Sequence, residues 1–229
     1  MTKTIIISVF LAALPLQNIL AQDIDFDAKH KICLEKTVDD PEAAFENAMV
    51  WQSQGGGRRA RHCVAKALSA LGHAGEAAIR MEKIAKAPDG GTPTMRAEYY
   101  VQAADLWLTA KQPHRAIDAA SAGLKIARSN LDLRIHRARA YGALGRWDYS
   151  ETDLTSALAF HPDNARALRA RAHTYLKQDD LAKAKADIDA SINADSTNID
   201  TLLLRGKINE AIRLKPAPGE KTILLETQK

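Results

Sequence analysis

Leu131–Asn164 reads LDLRIHRARAYGALGRWDYSETDLTSALAFHPDN, and the reading of this stretch decides the fold. The pattern returns at once in 165–198, where Ala138, Tyr141, Leu154, Ala157 and Phe160 recur as Ala172, Tyr175, Ile188, Ser191 and Ala194. It is present before the stretch as well, in 97–130, through Ala104, Trp107, Ala116, Gly123, Leu124 and Ile126. A fixed period of this length marks a stacked array, because one short unit cannot bury its own apolar face and must share it with its neighbours. Within the unit the spacing is helical: Ala138 and Tyr141 fall on one face of a first helix, and Leu154, Ala157 and Leu158 on one face of a second.

Composition points the same way. The chain is 46% hydrophobic but only 5% aromatic, an alanine-rich balance that favours helices. Its 229 residues suit one or two domains with a well-formed core. The net charge of +4 is too small to argue for nucleic acid. The two cysteines, Cys33 and Cys63, form no CxxC, so neither a zinc site nor a redox motif is indicated.

The repeated residues resemble the tetratricopeptide repeat, in which each unit is a helix A, a tight turn and a helix B. Ala138, Tyr141, Gly145, Trp147, Leu154, Ala157 and Pro162 stand where that family has its small residue, aromatic, turn glycine, turn aromatic, large apolar residue, alanine and closing proline. Repeats are read at 58–96, 97–130, 131–164 and 165–198, with a half repeat at 199–213 that has no helix B after it. The first rests on Ala65, Leu68, Gly72, Ala77, Met81 and Ile84, and the half repeat on Leu202, Arg205 and Gly206. Arg137, Arg171 and Arg205 depart from the family, which is usually apolar there, and Ser196 replaces the closing proline. The resemblance implies an all-α, right-handed superhelical solenoid of antiparallel helix pairs, with A helices lining a concave face.

Outside the array, Met1–Ala21 reads as a secretory signal peptide: Lys3, a short apolar run from Ile5 to Leu14, and a cleavage site at Ile19-Leu20-Ala21. The run is short for a membrane span, so an exported protein, periplasmic or secreted, without stable membrane insertion is expected. Residues 22–57 form an N-terminal helical cap or a degenerate repeat, with Asp40-Pro41 a strong helix start and Gly55–Gly57 a stop. From 214 to 229 a tail is expected, cut off from the array by Pro216, Pro218 and Gly219; Ile223, Leu224 and Leu225 either dock on the last helix or fray. For an exported chain with two cysteines a Cys33–Cys63 disulfide is expected, against the alternative of two buried thiols.

Catalytic signals are absent. No HExxH, GxSxG or Walker lysine occurs, and the histidines show no metal-ligand spacing. Gly55, Gly57 and Ala60 match GxGxxA formally, but a helix rather than a strand precedes them, so they read as a helix connector. No enzyme, cofactor, metal or small-molecule substrate is expected.

Binding is therefore sought on the concave face. In the family, ligand contacts come from helix A along one stripe, at offsets 2, 5, 9, 12 and 13. Carried onto this chain, the stripe offers Arg59, His62 and Lys66 in the first repeat, Ile135 and Arg139 in the third, Arg166, Arg169, His173 and Lys177 in the fourth, and Lys207 in the fifth. The four fourth-repeat side chains would repel one another, and an acidic partner would relieve that. A non-enzymatic interaction scaffold, holding a peptide or helix of an acidic partner protein, is the first reading. A binder of an anionic polysaccharide or nucleic acid is the second. Nucleic acid is the weaker form of it, since the stripe lacks interleaved aromatics for stacking bases.

Overall fold

The computed structural model describes residues 25–215, so the expected leader and the tail from 216 onward lie outside the described residues. Among the described residues all regular structure is helical. The helices are α1 (Phe26–Asp39), α2 (Pro41–Ser53), α3 (Gly57–Ala70), α4 (Ala74–Lys86), α5 (Pro93–Thr109), α6 (Pro113–Ile126), α7 (Leu131–Ala143), α8 (Trp147–Phe160), α9 (Ala165–Lys177), α10 (Leu181–Ala194) and α11 (Ile199–Leu214). From α2 onward each packs mainly on its chain neighbours, whereas α1 packs on α3 at least as much as on α2; odd-numbered helices also touch at α5/α7, α7/α9 and α9/α11.

Local chemistry sets the helix ends. Asn130, Asn164 and Asn198 cap α7, α9 and α11 at one register, each Oδ1 accepting the N–H of Leu133, Ala167 or Thr201 at 2.9, 3.0 and 3.2 Å. Asp40 caps α2 ahead of Pro41, as its sequence suggests. The turn inside a hairpin uses one left-handed residue, at Gly72, Lys111, Gly145 and Asp179, with φ of 84°, 56°, 71° and 61°. Gly145 adopts this without strain, whereas Lys111 and Asp179 force a Cβ into it.

The repeat is held together where small residues let helices touch. Ala138 and Ala172 are fully buried, as are Ala116, Ala120 and Ala184 on B helices. Larger side chains such as Trp107, Leu133, Leu154 and Ile188 fill the spaces between units and are themselves almost wholly enclosed. The last residue of each of two B helices, by contrast, points away: Ile126 is 40% and Phe160 61% exposed, although both recur in phase.

The arginines that depart from the family pattern form a clamp. Arg137 donates from Nε and Nη2 to both oxygens of Asp153 at 2.7 and 2.6 Å, and from Nη1 to Ser121 at 3.0 Å. One repeat later Arg171 does the same to Asp187 at 2.6 and 2.9 Å, and to Thr155 at 3.3 Å. Each guanidinium thus ties its own helix A to its own helix B and to the helix B before it. Asp153 and Asp187 are buried, so the bidentate pairing is what makes their burial tolerable.

At the N-terminus, α1 and α2 pack as a further hairpin in front of α3. Asp40 alone separates them, where α7 and α8 are separated by residues 144–146. Cys33 on α1 and Cys63 on α3 are disulfide-bonded, with Cα atoms 6.1 Å apart. Neighbouring contacts run between the same two helices: Arg59 Nε donates to Asp27 at 2.6 Å, and the imidazole nitrogens of His30 and His62 lie 2.9 Å apart.

Packing, clamp and disulfide can each be tested by stability. Ala172→Leu should overpack the α9–α10 contact and lower the unfolding free energy by about 1–3 kcal/mol in urea melts. Asp187→Ala should leave Arg171 half-buried and unpaired and cost about 1–3 kcal/mol, less than the ~3–5 kcal/mol of a fully buried pair. Cys33→Ala with Cys63→Ala opens a loop of about 31 residues and should cost about 3–4 kcal/mol; an unchanged urea midpoint would refute the bond in the folded protein.

Candidate functional site

A concave cavity of about 570 Å³ lies between α7, α8 and α9 and reaches α11. Ile135 and Leu154, both nearly buried, form its floor with Ala138 and Trp147. Arg139, Arg166, Arg169 and His173 stand around it, together with Asp200. A second cavity of about 280 Å³ continues it along α11, lined by Leu203 and Lys207 and sharing Arg169, His173 and Asp200.

These residues meet because equivalent positions of successive A helices lie side by side, and this changes the electrostatics. Arg139 Nη1 is 3.3 Å from Asp105 Oδ1, and Arg166 Nη1 is 2.8 Å from Asp132 Oδ1; each pair is 34 residues apart. Arg169 donates to the cap residue Asn198 at 2.6 Å and to Thr201 at 3.2 Å. The expected cluster of mutually repelling charges in the fourth repeat is therefore not what the structure holds: Arg166 has an acidic neighbour and Arg169 hydrogen-bonds the next cap. Lys177 and Lys207 have no ion pair among the described residues. The pKa of His173 is held below the usual histidine range, first by loss of hydration in the concave wall and then by Lys177 and Lys207. Its ring meets Trp147 edge-on at 5.8 Å between centroids.

The structure splits the sequence-derived candidates into two groups. Ile135, Arg139, Arg166, Arg169, His173 and Lys207 line the joined cavities. Lys177 is exposed on the same helix but outside the lining. Arg59 and His62 are engaged by α1, through Asp27 and His30, rather than held ready for a ligand. Lys66 stays near them on α3 and forms no ion pair among the described residues. Asp105 and Asp132 share the stripe, at offsets 9 and 2, but are not among the candidate binding residues; the sequence marks Trp147 as a turn aromatic only, and does not mark Asp200. The signal for the first two was available, since an acid and a base stand one repeat apart at one helix offset.

His62 is the most perturbed titratable group near this face. It is 9% exposed, its Nδ1 faces His30 and its Nε2 lies 3.1 Å from Gln102 Oε1. Both contacts are satisfied when His30 donates to a neutral His62 and His62 donates to Gln102. Burial pushes its pKa down to about 4, outweighing the Gln102 bond, and burial likewise lowers that of His30. Between pH 6.5 and about 4 the unfolded chain then binds more protons than the folded one, so stability falls as pH falls. Moving from pH 7.5 to 4.5 should lower the unfolding free energy by about 2–3 kcal/mol through His62. His62→Gln should flatten that dependence in denaturant melts; an equal slope in both proteins would assign it elsewhere.

No protein-family model and no curated protein matches the sequence. Solved structures do. YrrB, described as a TPR protein with an unusual peptide-binding site, is similar at a TM-score of 0.60 and 14% identity, over 80% of this chain and 91% of its own. MamA from Desulfovibrio magneticus is similar at a TM-score of 0.58 and 15% identity, over 68% and 85%. A thermophilic TPR protein of Thermus thermophilus is similar at a TM-score of 0.54 and 19% identity, over 81% and 100%. With the in-phase helix pairs above, these similarities establish that the chain has the tetratricopeptide-repeat fold.

Proposed function

We propose that the protein is a non-enzymatic interaction scaffold of an exported compartment that holds an extended or helical segment of another protein in the groove of α7, α9 and α11. The observation that carries this reading is the joined cavity, about 570 Å³ continued by about 280 Å³, with an apolar floor and polar walls. Ile135 and Leu154 accept an apolar anchor, while Arg139, His173 and Lys207 supply donors above it. The Cys33–Cys63 bond supports an oxidising location. That YrrB carries a peptide-binding site on this fold supports a peptide as the ligand class.

An acidic residue in the partner fits beside Lys207, which has no ion pair among the described residues, and a neutral His173 can donate a hydrogen bond to it. The pairing of Arg139 and Arg166 with aspartates favours a mixed-charge segment over a polyanion, because a uniform polymer would also meet Asp132 and Asp200. A photocrosslinking residue at Ala143, on the groove rim, should yield a discrete protein adduct in the native host, and one at Lys125, on α6, should not. His173→Ala with Lys207→Glu should abolish that adduct, whereas Lys83→Glu with Lys125→Glu should spare it. The reverse outcome moves the partner to the outer surface. A nucleic-acid or polysaccharide adduct that falls steeply with salt would replace the protein reading with the polyanion one.

A further inference from the structure

The arginine clamp has a third member without its counterpart. Arg137 and Arg171 are followed one repeat later by Arg205 on α11, which is exposed and has no ion pair among the described residues. The clamp carboxylate stands 16 residues after the arginine, at Asp153 and Asp187. At that distance from Arg205 the sequence has Lys221, a like charge. Asp189, which takes the place of the clamp hydroxyls of Ser121 and Thr155, is bonded to Lys185 at 2.8 Å.

Among the described residues, the helix face around Arg205 is uncovered in the same register. On α9, Leu168, Ala172 and Tyr175 are buried, with exposures of 6%, 0% and 6%. Their equivalents on α11 are Leu202, 37% exposed, and the exposed Gly206 and Asn209. Among the described residues, a Cβ built on Gly206 would meet nothing within 4 Å, although this is the position at which helices touch in the two preceding repeats. Ile212 extends the stripe and, with Leu181 and Ala186 of α10, lines a shallow cavity of about 540 Å³.

We infer that this face is a docking site for an amphipathic helix of another protein that presents a carboxylate to Arg205. The array itself defines the chemistry of that helix. It needs Asp or Glu, then a branched apolar residue, then a small residue three further on, as in Asp153-Leu154 with Ala157 and Asp187-Ile188 with Ser191. The carboxylate would complete a bidentate pair with the guanidinium, and the small residue would let the incoming backbone approach Gly206. This site is separate from the concave groove, because Arg205, Gly206 and Asn209 lie on a different stripe of α11 from Leu203 and Lys207.

The probe is a hydrocarbon-stapled, fluorescent peptide with the sequence Leu181–Ala194, which already satisfies this register at Arg171. It should bind the full chain saturably in anisotropy titrations. Arg205→Glu should weaken it about tenfold or more, and Gly206→Leu, which meets open space in the free chain, should block it without changing charge. A peptide carrying Asp187→Lys should fail on the wild-type chain and recover on Arg205→Glu. Lys207→Glu should leave peptide binding unchanged, which separates this site from the groove. Circular dichroism melts of each variant check that the array stays folded. No saturation at millimolar peptide, or undiminished binding by the Arg205→Glu and Gly206→Leu chains, overturns the inference. A concentration-dependent dimer abolished by Arg205→Glu would overturn it in favour of a second copy as the occupant. Binding that appears only after Ile223→Asp and Leu224→Asp would overturn it in favour of the chain's own following residues.

Discussion

The close contact between the two helices of a repeat, permitted by a fully buried alanine at Ala138 and again at Ala172, is the constraint from which the architecture follows. At that separation the helices of one unit still expose an apolar edge, which the next unit must cover. Trp107, Leu133, Leu154 and Ile188 fill these seams between units. Stability therefore accumulates along the array through nearest-neighbour contacts, and an end unit differs from an internal one by what it leaves uncovered.

Close approach also governs the polar interior. Asp153 and Asp187 sit at depths where an isolated carboxylate would be strongly disfavoured. Each is held by a bidentate arginine from the facing helix, with a hydroxyl of the previous repeat accepting from the remaining guanidinium nitrogen. A buried ion pair of this kind adds little net energy compared with an apolar contact, but it is intolerant of mismatch. The pair joins helix A to helix B within a hairpin, and the hydroxyl bond from the same guanidinium joins that hairpin to the one before it.

The two ends of the described array are treated differently. At the N-terminus α1 lies against α3 and is tied to it covalently, by an ion pair and by paired imidazoles. That face of the first repeat is thereby used in holding the array together. The open part of the concave surface is displaced toward α7, α9 and α11, where Ile135, His173 and Lys207 line the cavity.

The sequence by itself determined the helical class, the repeat length and the hairpin turn at Gly145, because each depends on residues close in the chain or on a strict period. Cys33–Cys63 was also legible, from two cysteines and an expected oxidising compartment. The role of Arg137 and Arg171 was not, since an arginine in an apolar register reads as a misfit until the carboxylate facing it is known. Nor was the commitment of Arg59 and His62 to α1, or the pairing of Arg139 and Arg166 with Asp105 and Asp132. Burial at the ends of B helices escaped the period too: Phe160 recurs in phase yet is 61% exposed. A helical offset states which side chains share a stripe, but charge and exposure on that stripe depend on what the neighbouring helix brings within about 3 Å. Only the tertiary arrangement sets that distance.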